Sequence, residues 1–438
     1  KDMTVGSPIR LILGFAIPLF FGMLFQQFYS LMDMIIVGKF LGAKSLAAVG
    51  ATGSINFMII GFCMGVCNGF AIPVAQRFGA KDEKMLRCFV ANSVWLSILF
   101  ASVMTLSVCL LCRNILVWMD TPSDIFNEAY QYILIIFIGI PATYLYNLLS
   151  GIIRSLGDSR SPLIFLVISS VLNIGLDLLA IVVFHMGVAG AAAATVISQF
   201  CSFLLLMYQS RKGGNIKISF SNFKPNGHYI KEICRGGVPS LCRQGLASIS
   251  AIFLNHGAGV YGDAAIAGMS IVSRVSMFAS SALIGFGQGF QPVCGFNYGA
   301  KLYQRVREGF VFCVKYATIF LVGISIIGAV FAPEIIAMFR KGDEEVIAVG
   351  AMALRLQCIV FPLTGWIVMS NMMLQSIGKA LKASILAAAR QGIFFIPLIL
   401  ILPKIFGLSG VEMCQMVSDL LSFILAVPLC VSVLKEMK

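Results

Sequence analysis

The sequence has 438 residues, of which 59% are hydrophobic and only 12% charged, and its mean hydropathy is +0.93. Soluble domains are about half apolar and about 25% charged, so this composition excludes an ordinary soluble protein and indicates a chain whose main solvent is lipid. The formal net charge of +13 would suggest nucleic-acid binding in a soluble protein. Here the distribution of basic residues between loops explains it, and we expect no nucleic-acid partner.

Long apolar stretches recur along the chain, and a helix needs roughly 20 such residues to cross about 30 Å of hydrocarbon. In the first half they lie at about Leu11–Val37, Leu46–Ala71, Phe89–Leu111, Ile133–Ile153, Leu163–Phe184 and Val188–Tyr208. In the second half they lie at about Ile233–Leu254, Ala265–Phe290, Phe310–Phe331, Val346–Leu374, Leu381–Leu402 and Leu408–Leu434. The expected fold is an all-α polytopic membrane protein with twelve transmembrane helices. The first stretch is too long for a signal peptide and lacks a small-residue cleavage site, so we expect it to be retained.

The two halves repeat each other. An offset of about 220 positions aligns Gly42 with Gly262 and Gly79-Ala80-Lys81 with residues 299–301, and one of 221 aligns Pro141 with Pro362. Because six spans separate equivalent points, the repeats are parallel and related by an axis along the membrane normal. We therefore expect an N-lobe over 1–210 (spans 1–6), a cytoplasmic linker over 211–232 and a C-lobe over 233–438 (spans 7–12).

Basic residues are unevenly divided between alternate loops. The loops on one side are rich in lysine and arginine, whereas the other side holds only Lys39, Lys44, Arg113, Arg340, Lys341 and Lys404. The positive-inside rule then predicts a multi-pass protein of the cell membrane with both termini in the cytoplasm.

Small residues and cysteines have structural interpretations. Gly61, Gly65 and Gly69, and likewise Gly285 and Gly289, recur at four-residue spacing, which favours close helix packing in lipid over a hinge. The thirteen cysteines lie mostly in apolar segments, and the close pair Cys109 and Cys112 has no histidine nearby. We therefore expect reduced, structural thiols and no metal site of the cysteine or histidine type.

Two aspartates lie inside predicted spans of the first half, where an ionised group costs about 2.5–3.5 kcal/mol on insertion scales. Asp33 lies in span one, with Gln26 seven residues before it on the same face and Tyr29 one turn away. Gln26 is a candidate for the cation-coupling site, and Tyr29 a candidate for the substrate cavity. The alternative is that Asp33 only bonds a neighbouring helix.

The second intramembrane aspartate is Asp177 in span five, one turn after Asn173, and Thr195 in span six is polar at comparable depth. An aspartate pair surrounded by amide and hydroxyl oxygens can coordinate a hard cation such as Na⁺. It can equally hold a proton, because burial disfavours the ionised carboxylate. A purely structural hydrogen bond remains the alternative for Asp177 as well.

The intramembrane charges of the second half are mostly basic, namely Arg243, Arg274, Arg355, Arg390 and Lys315, with Asp419 and Glu412 as the acids. Arginine is not neutralised in such a setting, so each must meet water, an acid or backbone carbonyls. We expect pairs such as Arg274 with Asp419. Arg243, one turn after Pro239 and followed by Gln244, is the best candidate for the substrate cavity. An arginine that faces the cavity favours anionic or zwitterionic substrates. Alternatively, Asp419 or helix-end carbonyls hold it.

Four stretches together resemble the MATE family, the multidrug and toxic-compound extrusion transporters of the multidrug/oligosaccharidyl-lipid/polysaccharide superfamily. They are Ala16-Ile17-Pro18 through Gln26 and Asp33 to Val37-Gly38, Gln76-Arg77-Phe78-Gly79-Ala80, Arg154-Ser155-Leu156-Gly157-Asp158, and Asn173-Ile174-Gly175-Leu176-Asp177. The resemblance covers essentially the whole chain. It implies a secondary antiporter that exports organic solutes as H⁺ or Na⁺ enters, by rocking of two lobes around a central cavity.

Within that family the chain is most similar to the DinF-like branch, whose N-lobe cation site matches Asp33, Asn173, Asp177 and Thr195. The NorM-like branch adds a seventh-span glutamate and a further carboxylate. This sequence has Arg243 and Gln244 where that glutamate is expected, so we assign coupling to the N-lobe alone.

Other function classes stay open to different degrees. A lipid-linked-precursor flippase of the same superfamily is an alternative, as is a metabolite exporter for anionic solutes. An enzyme is disfavoured, because His185, His228 and His256 have no companions at catalytic or metal spacing. Coupling of solute flux to an imposed ion gradient distinguishes an exchanger from a channel. We expect a monomer in the lipid bilayer that needs no cofactor beyond its coupling ion and takes an organic small molecule as substrate.

Overall fold

The structure is a computed structural model that describes residues 5–81, 83–118, 123–212, 227–339 and 342–437, without some of the side chains inside the helices. The described chain is helical almost throughout. The helices are α1 Pro8–Leu41, α2 Ala43–Gly79, α3 Glu83–Trp118, α4 Phe126–Ile138, α5 Ile140–Ser155, α6 Arg160–Leu178, α7 Val188–Lys212, α8 Gly227–Gly259, α9 Asp263–Gly299, α10 Tyr303–Val330, α11 Ala332–Phe339, α12 Glu344–Val360, α13 Leu363–Ser376, α14 Ala380–Ala388, α15 Phe395–Phe406 and α16 Leu408–Glu436. Two π-helical turns, Leu179–Val183 and Ala389–Ile393, follow α6 and α14.

Every predicted span corresponds to a helix or to a run of consecutive helices. Six are long and apolar enough to cross a membrane: Lys84–Trp118, Arg160–Val183, Val188–Ser210, Tyr303–Val330, Ala380–Phe406 and Leu408–Glu436. Two more are the bent pairs α4 with α5 and α12 with α13. The remaining four predicted spans lie in α1, α2, α8 and α9, which have 33 to 37 residues each. The fold is thus the predicted all-α, twelve-span arrangement.

Spans four and ten are broken, although the apolar pattern predicted each as one uninterrupted stretch. The helix axis bends by 43° between α4 and α5, and by 61° between α12 and α13. Pro141 lies in the first turn of α5 and Pro362 immediately precedes α13. Proline has no amide hydrogen and its ring clashes with the preceding turn, so the same proline of the repeat breaks both spans.

The internal repeat extends to individual backbone angles. Gly42 and Gly262, which precede α2 and α9, have φ of 92° and 104°, and both of those helices contain 37 residues. After the same two helices, Lys81 and Lys301 adopt φ of 58° and 62°. A positive φ is unfavourable for a residue with a Cβ atom. Its recurrence at both lysines therefore shows that the two halves repeat the same turn.

The described chain forms two compact units. Of the described residues, those within Ile17–Gly237 form the first unit, and those within Met3–Ala16 and Val238–Lys438 form the second. Both boundaries fall inside helices, α1 and α8. Residues 213–226 of the predicted linker lie outside the described residues, and the predicted lobe limits stay a prediction.

Each unit contains a close crossing of small residues. In the first unit, a Cβ atom on Gly69 would lie 2.5 Å from the Gly236 carbonyl oxygen. In the second, a Cβ atom on Gly289 would lie 2.8 Å from the backbone nitrogen of Ala16. These are equivalent positions of the repeat. Gly69 and Gly289 therefore pack helix backbones together, which is the structural interpretation of the glycine pattern.

Candidate functional site

Three polar side chains from α1, α6 and α7 meet inside the first unit. Asn173 Nδ2 lies 3.4 Å from each carboxylate oxygen of Asp33. Thr195 Oγ1 lies 3.4 Å from Asp33 Oδ2 and 3.4 Å from Asn173 Oδ1, and it also donates to the Ala191 carbonyl oxygen at 3.1 Å. Asp33 is 9% exposed and Asn173 1%. The sequence prediction that these three residues share one site is consistent with this geometry.

Asp177 lies one turn after Asn173 on α6 and is completely buried. Among the described residues, neither of its carboxylate oxygens has a hydrogen-bond partner. A buried carboxylate without donors is expensive, because an isolated charge loses its hydration. A bound proton or a small cation removes that cost, so the geometry of Asp177 suits either species.

The cluster offers a small cation only oxygen ligands. Asp33 supplies a carboxylate, Asn173 an amide oxygen and Thr195 a hydroxyl, and the Asp177 carboxylate lies one turn further along α6. Such ligands match hard cations. The contacts of 3.4 Å among Asp33, Asn173 and Thr195 are longer than the usual lengths of about 2.7–3.2 Å for N–H···O and about 2.5–3.0 Å for O–H···O hydrogen bonds. The side chains of the other two candidates, Gln26 and Tyr29, lie outside the described residues.

The second unit contains an ion pair that differs from the expected one. Arg390 Nε lies 2.7 Å from Asp419 Oδ1, and Gln415 Nε2 donates to the same oxygen at 2.8 Å. The expected partner of Asp419 was Arg274, whose side chain lies outside the described residues. Arg390 lies in the π-helical turn Ala389–Ile393. The apolar pattern of the sequence does not predict this turn. Gln415 was missed, although it precedes Asp419 by four residues and so shares its helix face.

A second polar cluster surrounds Arg243 on α8. Its Nη2 donates to Ser240 Oγ at 3.2 Å, and Gln375 Nε2 donates to the same oxygen at 2.9 Å. Gln291 Nε2 donates in turn to Gln375 Oε1 at 3.0 Å. Of these residues only Arg243 was predicted from the sequence. Ser240 could have been found from its position one turn before Arg243, whereas the two glutamines come from distant helices.

The remaining intramembrane groups have local surroundings. Arg355 is exposed and its Nε donates to the Ala329 carbonyl oxygen at 3.1 Å, one of the partners expected for an arginine in lipid. Lys315 lies 5.8 Å from the ring centroid of Tyr316, and Glu412 is buried. All thirteen cysteines are free thiols, as expected.

Known proteins match the chain over nearly its whole length. A family model described as MatE matches residues 18–179 and again residues 239–401. The probable multidrug resistance protein YoeA of Bacillus subtilis is 28% identical over 345 residues, which cover 75% of this chain and 73% of that protein. The multidrug export protein MepA of Staphylococcus haemolyticus is 24% identical over 421 residues, covering 96% of this chain and 92% of that protein.

Solved structures agree with these sequence matches. A crystal structure of MATE in the bent conformation superposes with a TM-score of 0.90 at 26% identity, covering 99% of this chain and 96% of that one. The double match of one family model accounts for the two parallel halves. The chain is therefore a multi-pass membrane protein that belongs to the MATE family of transporters.

Proposed function

We propose that the protein exports organic solutes, drug-like compounds among them, in exchange for H⁺ or Na⁺ that binds in the first unit. The observation that carries the proposal is Asp177, a fully buried carboxylate whose two oxygens have no hydrogen-bond partner among the described residues. The names of the relatives from Bacillus and Staphylococcus, which describe multidrug resistance and export, support the substrate class. The sequence features of the DinF-like branch support the assignment of coupling to this unit.

In this mechanism the ion and the conformational change are linked through the acids. Burying an ionised Asp177 in the membrane interior costs free energy, and this cost favours binding of a cation. The neutralised form is compatible with apolar packing. Asp33, Asn173 and Thr195 form a neighbouring group that can tighten around an ion. A ligand shifts a conformational equilibrium only by its differential affinity for the two states. A group that rearranges when the ion binds supplies such a difference.

The cellular setting follows from charge and composition. We propose a cell-membrane location with both termini in the cytoplasm, because the basic loops lie on one side of the twelve spans. The protein acts as a monomer with no cofactor in this scheme. Protease accessibility of the N-terminus in right-side-out and everted vesicles tests the orientation, and the mass of the detergent-solubilised protein tests the oligomeric state.

The proposed exchange is tested in proteoliposomes with a pH gradient and a Na⁺ gradient imposed separately. We expect one of the two gradients to drive accumulation of a fluorescent organic cation against its own gradient, and an ionophore for that ion to abolish it. Asp177→Asn serves as the uncoupled variant. Dye movement that equilibrates at the same rate under either gradient and never exceeds the external concentration would indicate a channel or facilitator instead.

A further inference from the structure

Three arginines from different spans of the second unit meet three different environments. Arg390 is neutralised by Asp419 at 2.7 Å. Arg355 is exposed and donates to a backbone carbonyl at the end of α10. Arg243 donates to a serine hydroxyl, and its Nη1 is buried with no hydrogen-bond partner among the described residues. Of these three, only Arg243 carries a buried donor that lacks an acceptor.

The neighbours of Arg243 supply donors rather than negative charge. Ser240 Oγ accepts from both Arg243 Nη2 and Gln375 Nε2, so both of its lone pairs are engaged and its own O–H remains a donor. Gln375 Oε1 is in turn occupied by Gln291 Nε2. Ser240, Gln375 and Gln291 are each buried, at 1%, 2% and 7% exposure. Gln291, Gln375 and Ser240 therefore form a hydrogen-bonded chain that reaches Arg243 and contains no carboxylate.

Asp419, the acid that the sequence suggested as a partner of Arg243, pairs with Arg390 instead. Asp419 Oδ1 accepts from Arg390 and from Gln415. Within the described residues its Oδ2 has no hydrogen-bond partner, and no ion pair joins Asp419 to Arg243. A guanidinium stays charged in proteins, and its presence in the membrane interior costs free energy unless something compensates it. Arg243 is partly exposed as a residue, although its Nη1 atom itself is buried.

We propose that Arg243 is the receptor for an anionic group of the transported solute, a carboxylate or a phosphate. A planar guanidinium with one nitrogen fixed by Ser240 and the other unoccupied presents two N–H donors side by side, which matches the two oxygens of either group. This inference rests on the proposed export function and adds to its substrate class solutes that carry an anionic group, zwitterions included.

The test uses two dyes that differ only in whether a carboxylate is free, rhodamine 110 and its methyl ester rhodamine 123. Binding to the purified full-length protein in detergent is measured by fluorescence anisotropy without any ion gradient. We expect Arg243→Gln to weaken binding of rhodamine 110 by about tenfold or more, equivalent to about 1.4 kcal/mol, and to leave rhodamine 123 unchanged. Arg243→Lys keeps the charge but not the planar fork, so we expect it to lie between wild type and Arg243→Gln.

The control variant is Arg355→Gln, which should leave both dyes unaffected. It removes an arginine of the same unit whose only hydrogen bond in the described part of the chain goes to a carbonyl oxygen. Equal weakening of both dyes in Arg243→Gln, no weakening of either, or no binding of rhodamine 110 by the wild type would each overturn the assignment. If Arg243→Gln does not fold, competition on the wild type decides. Inorganic phosphate must then displace rhodamine 110 and not rhodamine 123, and failure to do so overturns the proposal. Because no gradient is imposed, this result is independent of whether export is coupled to H⁺ or Na⁺.

Discussion

Arg390 and Asp419 form a direct ion pair in the second unit, with Nε 2.7 Å from Oδ1 and with Asp419 1% exposed. Gln415 adds a second donor to the same oxygen, while Ser418 Oγ donates to the Arg390 backbone carbonyl. The pair joins α16 to the π-helical turn after α14. It explains how two charges are retained inside the apolar second unit, because each compensates the other.

The first prediction concerns this pair. Arg390→Gln leaves Asp419 as a buried, uncompensated charge, so we expect a loss of stability of about 3–5 kcal/mol. The double variant Arg390→Gln/Asp419→Asn should be much less destabilised than the sum of the two single variants, since it leaves no unpaired charge. Unfolding of the purified protein in detergent, followed by tryptophan fluorescence, measures the cycle. Additive losses would show that the two groups do not interact.

The second prediction concerns Asp177. Asp177→Asn removes a charge that has no hydrogen-bond partner among the described residues, so the protein should fold with equal or greater stability while gradient-driven export is lost. Asp158→Ala is the converse control. Asp158 accepts from the backbone nitrogens of Arg160 and Ser161 at the start of α6, so we expect its replacement to lower stability by about 0.5–2 kcal/mol and to retain coupling. Wild-type export rates in Asp177→Asn would remove this residue from the mechanism.

The third prediction concerns the Thr195 hydroxyl. Thr195→Val keeps the shape but loses the oxygen that lies 3.4 Å from both Asp33 and Asn173, so we expect a higher coupling-ion concentration for half-maximal transport. Thr195→Ser keeps the oxygen and should resemble wild type. Ser198→Ala on the same helix removes a hydroxyl that bonds only the Ala194 carbonyl in the described structure, and it should not alter the ion dependence. An identical ion dependence in Thr195→Val and Thr195→Ser would exclude the hydroxyl as a ligand.

The fourth prediction concerns the crossing at Gly289. A Cβ atom there would lie 2.8 Å from the backbone of Ala16, so Gly289→Ala must push two helix backbones apart and should lower the unfolding temperature. Gly323→Ala is the matched control, because a Cβ atom at Gly323 on α10 meets nothing within 4 Å. It should stabilise α10 slightly, since alanine favours a helix over glycine by about 0.5–1 kcal/mol. Equal unfolding temperatures for the two variants would contradict the close crossing.

Much of the fold could be predicted from the sequence because a lipid environment imposes a local rule. Every backbone polar group must be satisfied within its own segment, so a span is a helix of fixed minimum length and its apolar residues are contiguous. The internal repeat could also be predicted from the sequence. Gly42 and Gly262 match in the two halves because each position needs a positive φ, which glycine alone adopts at little cost. The bends at Pro141 and Pro362 were not predicted, because proline interrupts some spans and is tolerated in others.

The candidate sites, like the fold, were predicted from the sequence only in part. The sequence by itself determined that Asp33 and Asp177 are costly acids in the first half and that arginines predominate in the second, since each charge in an apolar run is conspicuous. Only the tertiary structure decided which groups meet. Asp33 and Thr195 are 162 residues apart in the chain. Arg390, in the π-helical turn Ala389–Ile393, pairs with Asp419, whereas Arg243 donates to Ser240. Partner choice depends on the rotation and packing of helices that are distant in sequence, and the apolar pattern of a single helix does not encode it.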